Sequence, residues 1–331
     1  MNLLGSSSSL PIKELSEALR RLADEQNVWI GTSSWKYPGW IGMIYDESRY
    51  LYRGKASEAR FERDCLTEYA EVFPTVCVDA GYYRFPSPQY IEGLVKQVRP
   101  GFRFSFKVTD DITACTFPNL PRHGAKAGKR NEHFLNAALF KSAFLSSLAP
   151  FRDYIGTLIF EFSHLHPRDF TRGRDFVAAL DAFLADLPPE WQYSVEIRNR
   201  TFLCEPYFEM LSRHQVAHVF NHWERMPPIT EQDALPGAHT TDFDTARLLL
   251  RPGRAYEQAV ASFSPYTHTH EVNEEARSGA ASIIQRRQAN QTRGRKTFIY
   301  VNNRLEGNAI NTVIAILEKI GALRPPSKSL P

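Results

Sequence analysis

The stretch Phe102-Arg103-Phe104-Ser105-Phe106-Lys107-Val108 alternates aromatic and polar residues. Successive strand side chains point to opposite faces, so the spacing predicts a strand with three phenylalanines packed under helices. Arg103, Ser105 and Lys107 then face the interior. Gln192-Tyr-Ser-Val-Glu-Ile-Arg198 repeats the pattern, with Ser194, Glu196 and Arg198 inward. Working outward, β-branched or aromatic runs recur at 28–33, 75–83, 155–162, 215–221, 247–251 and 297–302, which makes eight strands. Between them lie apolar stripes at helical spacing. Phe176, Val177, Leu180, Phe183, Leu184 and Leu187 form one, stopped by Pro188 and Pro189; Ile310, Val313, Ile314, Leu317 and Ile320 form the last. Eight strands alternating with helices predict an α/β fold, a TIM-type (β/α)8 barrel in a single domain. An open doubly wound sheet is the competitor, but no Gly-rich turn follows the first strand. The expected organisation is an N-terminal extension with a short helix over 1–27, the barrel over 28–322, and a tail over 323–331.

Composition narrows the function classes. The 331 residues carry 40 basic against 37 acidic side chains, so no global charge argues for nucleic acid. Cys65, Cys77, Cys115 and Cys204 lie far apart without a CxxC pair, which predicts buried free thiols in a reducing compartment. No apolar run approaches the ~20 residues of a membrane span and no signal-peptide core is visible, so a cytoplasmic protein without membrane association is expected.

The inward set is unusually polar. Besides Lys107, Glu196 and Arg198 it holds Gly31 and Ser33 on strand one, Asp79 and Gly81 on strand two, and Glu161 on strand four. Asn221, Arg251 and Asn303 continue it on strands six to eight. Three anions (Asp79, Glu161, Glu196) thus meet three cations (Lys107, Arg198, Arg251) near the C-terminal strand ends, where barrel enzymes carry their sites. A charge is costly to bury alone, so these groups are ligand contacts or halves of ion pairs. A neutral network that merely ties strands together satisfies the same pattern.

Several motifs resemble a known family. Gly31-Thr-Ser-Ser-Trp35-Lys-Tyr37-Pro-Gly-Trp40, Val78-Asp-Ala-Gly-Tyr-Tyr-Arg84, Phe104-Ser-Phe-Lys107, Val195-Glu-Ile-Arg198 and Tyr300-Val-Asn-Asn303 are similar to those of the domain-of-unknown-function 72 family, also called YecE-like. The matches run in order over nearly the whole chain. The resemblance implies a TIM barrel and supplies no reaction. Asp79 replaces a usual glutamate, Tyr82 a usual phenylalanine, and Ala114 and the Arg251-Pro-Gly253 stretch stand where histidines are common, so no role for those histidines carries over.

Four chemistries suit such a pocket. Lys107, Arg198 and Arg251, with Arg84 and Arg254 on nearby loops, could hold a phosphate or carboxylate, which matches an arginine fork. Asn308 in the 302–308 loop is placed to cap the last helix and open its amides to an anion. Glu196, Glu161 and Asp79 are the candidate catalytic carboxylates, although Arg198 makes Glu196 a poor general acid. The aromatics Trp35, Tyr37, Trp40, Tyr82, Tyr83 and Trp223 suit a sugar or base ring. No cofactor is predicted; a divalent metal has weaker support from His164, His166, His222, His268 and His270, and with it an endonuclease-like hydrolase. The basic loop 122–130 suits nucleic acid or a protein partner in a non-catalytic binding module. GxSxG, GxxxxGK[ST] and GxGxxG motifs are all missing from the sequence. The reading adopted is an enzyme, hydrolase or lyase of unassigned specificity, for a small anionic molecule. Ser33, Trp35, Tyr37, Tyr83, Arg84, Lys107, Arg198, Asn221, Arg251, Asn302 and Asn303 are its expected ligand contacts.

Overall fold

The computed structural model describes residues 12–289 and 295–324, which leaves most of the expected tail and the first eleven residues of the extension outside the described residues. Eight parallel strands close a barrel: β1 (Val28–Thr32), β2 (Thr75–Val78), β3 (Arg103–Lys107), β4 (Ile155–Phe162), β5 (Tyr193–Ile197), β6 (Ala217–His222), β7 (Phe243–Leu248) and β8 (Lys296–Val301). Each strand pairs with its sequence neighbours, and β8 closes on β1 from Val28↔Thr297 to Thr32↔Val301. The β1–β2 seam is the thinnest, paired only at Thr32↔Val76. Gly31 permits the approach there, because a Cβ on it would stand 2.0 Å from the Thr75 carbonyl oxygen.

The interior is layered. Trp29, Ile159, Ala217, Val219, Phe243 and Phe298 form an apolar plug, joined by Ala23 of the helix Ile12–Gln26. That helix buries Leu15, Ala18, Leu19, Leu22 and Ala23, the i, i+3, i+4, i+7 stripe that drives it onto the barrel. Hydroxyls make a second layer. Thr157 bonds Ser194 at 2.7 Å, Ser194 bonds Thr245 at 2.8 Å, and the Tyr300 hydroxyl donates to Ser105 at 2.5 Å. Outside the strands Phe102, Phe104, Phe106, Phe160 and Phe162 are fully buried under helices, as the alternation required.

Two strands differ from the sequence expectation. β2 stops at Val78, and Ala80–Tyr83 forms a single helical turn that places Gly81 against the Lys107 carbonyl. β7 runs from Phe243 to Leu248, so Arg247 takes the inward position expected for Arg251. Among the described residues no helix is long and apolar enough to cross a membrane.

Candidate functional site

Six charged side chains from five strands converge at the C-terminal mouth. Glu161 on β4 is the centre: its Oε2 lies 2.9 Å from Lys107 Nζ on β3, 3.1 Å from Arg198 Nη2 beyond β5, and 3.1 Å from Arg247 Nη1 on β7. Arg247 also donates to Glu196 at 2.7 Å and to Asp79 at 3.3 Å. Arg198 Nη2 sits 2.5 Å from Glu196 Oε1, out of line for a hydrogen bond. Glu196 is fully buried, while the Asp79 side chain keeps 32% of its surface exposed. Aromatic rings shield two cations: Tyr82 lies 3.7 Å from Lys107 Nζ and Trp223 lies 3.8 Å from the Arg198 guanidinium.

The charges hold one another ionised. Burial works to raise the Glu161 carboxyl, but Arg198, Lys107 and Arg247 outweigh it and hold the group far below the usual carboxylate range. Burial likewise opposes the Lys107 charge, yet Glu161 and Asp79 raise its pKa. Glu161 is therefore unsuited to proton donation. Asp79 is the carboxylate of the three that a small molecule reaches.

The network is neutral, but its surroundings are not satisfied by the protein. Ser33 Oγ, Trp35 Nε1, Asn221 Oδ1, Glu196 Oε1, Arg198 Nε, Arg247 Nε, Asn303 Nδ2 and Arg304 Nε are buried without a hydrogen-bond partner in the protein. Each such group costs about 1–3 kcal/mol when nothing serves it. Other such atoms, among them Trp29 Nε1, His218 Nε2 and Thr297 Oγ1, are scattered over the rest of the protein, whereas these eight belong to residues of the C-terminal strand ends and the loops that follow them.

Arg304 is the residue that the sequence reading overlooked. It follows Asn302 and Asn303 on the β8 loop, is half-buried, and has no carboxylate within ion-pair distance among the described residues. Burial raises the Tyr37 phenol, with the charge of Arg304 opposing the rise and that of Asp79 adding to it. Arg304 stood in the loop already singled out after strand eight, and with Glu306 two residues on nothing in the sequence set it apart.

The other expected contacts divide. Trp35 is buried, and Tyr37 packs on Trp40 and Tyr266. Asn221 donates to the Ile197 and Val219 carbonyls, Asn302 accepts from the Arg304 N–H, and Asn303 accepts from the Ala309 N–H. Asn308 caps the helix Ala309–Lys319 but is itself fully buried and donates to the Tyr266 carbonyl. Arg251 lies outside the network, exposed and paired, like Arg254, with Glu271. Tyr83 is exposed under Arg122. Arg84 lines a separate hollow of about 200 Å³ with Phe85, Ser87 and Tyr90.

The histidines do not converge. His222 points outward from β6, and burial, aided by Arg251, pushes it down to about 4. His268 stacks on His270, and His164 lies edge-on to His166. Among the described residues no three His, Cys, Asp or Glu side chains stand together to hold a metal. The basic loop is tied down more than its composition suggests: Pro121–Lys126 is a tight helical turn broken at Gly124 (φ 49), with Lys126 on Asp111 at 3.0 Å and Arg122 3.7 Å from Asp110. Three cysteines are buried free thiols; Cys204, contrary to expectation, is exposed.

The sequence pattern of a family described as "Protein of unknown function DUF72" matches residues 29–330. No curated protein matches. Among solved structures, a DUF72 family protein from Enterococcus faecalis V583 aligns with a TM-score of 0.58 at 16% identity, covering 89% of this chain and 97% of that one. A DUF72 family protein from Thermotoga maritima MSB8 gives a TM-score of 0.58 at 19% identity, covering 89% and 99%. At these identities the likeness is one of fold.

Proposed function

The chain belongs to the DUF72 family of proteins of unknown function, and within it we propose that this member binds a small carboxylate- or phosphate-bearing molecule at the barrel mouth, with Arg304 taking the negative charge. The observation that carries this is the cluster of buried, unserved polar atoms above a network already neutral in itself. Lys107, Arg198 and Arg247 are spent on Asp79, Glu161 and Glu196, and adding Arg304 leaves one positive charge in excess. The excess charge and the unpartnered groups together are what a bound anion would serve. Ser33, Asn221 and Asn303 supply hydrogen bonds, Trp35 and Tyr37 a wall, and Asp79 the carboxylate positioned to accept a proton in any reaction there.

A thermal-shift screen against carboxylate and phosphate metabolites tests the proposal, since a ligand of the native state raises the melting temperature by mass action. The expected hit disappears in Arg304→Gln, whose unliganded melting temperature falls little because Arg304 holds no ion pair and gives up only its stacking on the Tyr256 ring, 4.5 Å away. A hit undiminished in that variant, or no anionic hit at all, sinks the reading.

A further inference from the structure

We infer that a second ligand site lies in the cleft between the loops that follow β3 and β4, built for the phosphate of a phosphate monoester carrying an apolar body. The cleft has a volume of about 740 Å³ and opens on the same end of the barrel as the mouth. Its first wall is a folded ribbon: Phe117 N–H donates to the Lys129 carbonyl and Gly128 N–H to the Phe117 carbonyl, each at 3.0 Å, beside the Thr116↔Arg130 bridge. Its second wall is the segment 163–169. Asp169 joins the two, accepting from Thr116 Oγ1 at 2.8 Å and from the His166 N–H at 2.9 Å. The walls are thus fixed before any ligand arrives, which lowers the ordering cost of binding.

The charge in this cleft is unbalanced. Lys129, Arg168, His164 and His166 line it, and none has a carboxylate within 4.0 Å among the described residues. The one acid present, Asp169, has both oxygens engaged in joining the walls. Arg122 and Lys126 of the same ribbon are matched by Asp110 and Asp111, so the cleft cations are left over by placement. Two permanent cations suit a phosphate monoester, which carries about −1.5 to −2 at neutral pH. Phe117, Pro118 and Leu165 give its apolar part a surface. Neither Lys107 nor Tyr82, whose ring covers it, lines this cleft. The assignment therefore stands apart from the mouth proposal.

The test is calorimetric titration of the full chain with phenyl phosphate, with benzyl alcohol as the neutral control. Lys129→Gln and Arg168→Gln should each weaken phenyl phosphate by about tenfold or more, the effect of losing one charge-assisted hydrogen bond. Arg304→Gln should leave the affinity of this binding event within about twofold, a change too small to represent a lost hydrogen bond, whatever it does to a separate event at the mouth. Both lysine and arginine variants are surface changes, and melting curves verify that they fold. No binding, equal binding of benzyl alcohol, or binding lost only in Arg304→Gln overturns the assignment. So does tighter capture of a single-stranded oligonucleotide that the same two variants abolish, which would make the occupant a polymer.

Discussion

Replacing Arg247 by methionine asks what holds the barrel mouth together. Arg247 is almost fully buried and touches Glu196 at 2.7 Å, Glu161 at 3.1 Å and Asp79 at 3.3 Å. Its removal leaves three carboxylates facing Lys107 and Arg198, and Glu196 keeps only Arg198. Breaking a buried ion pair from one side costs about 3–5 kcal/mol, because the stranded charge has no solvent. At roughly 2 °C per kcal/mol for a chain of this length, the melting temperature should fall by about 6–10 °C. The pH dependence identifies the cause. Stranded carboxylates have raised folded-state pKa values, so the penalty is full at pH 8 and shrinks toward pH 5 as they take up protons. Urea unfolding of wild type, Arg247→Met, Glu196→Gln and the double variant gives the coupling, expected at about 1–3 kcal/mol in favour of the charge-balanced double variant. A loss below about 1 kcal/mol at pH 8, or one that grows toward pH 5, refutes the argument.

Two further predictions concern the frame. Burial pulls His239 toward its neutral form, but Asp233 and Asp244, each 3.0 Å away, raise its pKa to about 9. A raised folded value means that the stabilisation is complete below the unfolded pKa of roughly 6.5 and is lost as pH rises through 9. Wild type should therefore exceed His239→Gln by roughly 2 kcal/mol at pH 6, allowing for partial exposure, and by little at pH 10; a gap independent of pH would contradict this. Gly31→Ala forces a Cβ onto the Thr75 carbonyl, a backbone atom that cannot swing aside. It should cost at least about 3 kcal/mol by denaturant titration, and a neutral result would mean that the β1–β2 seam is looser than described.

The fold was legible because the outer face of the strands is written in large apolar residues. Phe102, Phe104 and Phe106, or Val195 and Ile197, leave no doubt about which side meets the helices, and the inward Lys107, Glu196 and Arg198 follow by parity. β7 was misread for the opposite reason. Its inward residues Thr245 and Arg247 and its outward Asp244 give no apolar alternation, whereas Leu248-Leu249-Leu250 looks like a buried strand. In the structure Leu249 and Leu250 leave the barrel and pack with Ala259 and Phe263 in a satellite cluster. The four-residue displacement exchanged Arg251 for Arg247 in the site. β2 was overextended because Val78-Asp-Ala-Gly-Tyr-Tyr83 has strand-like composition, and only the Lys107 carbonyl beside Gly81 shows why the chain turns there. Arg304 could not be ranked from sequence, since Glu306 two residues on looks like its partner and only the structure shows Glu306 paired with Arg277 instead.

The charge network also has a temporal side. Arg247 lies 51 residues from Glu196, 86 from Glu161 and 168 from Asp79 along the chain. Contacts at such separation repay their loop-closure entropy only after the intervening strands have assembled. Lys107, Glu161, Glu196 and Arg247 thus stay hydrated through the early collapse and lose water together when the ring shuts. Interactions absent from the transition state govern escape from the native state and leave the approach to it almost untouched. If the mouth engages last, weakening it speeds unfolding far more than it slows folding, and the two arms of a chevron plot for Arg247→Met read that split.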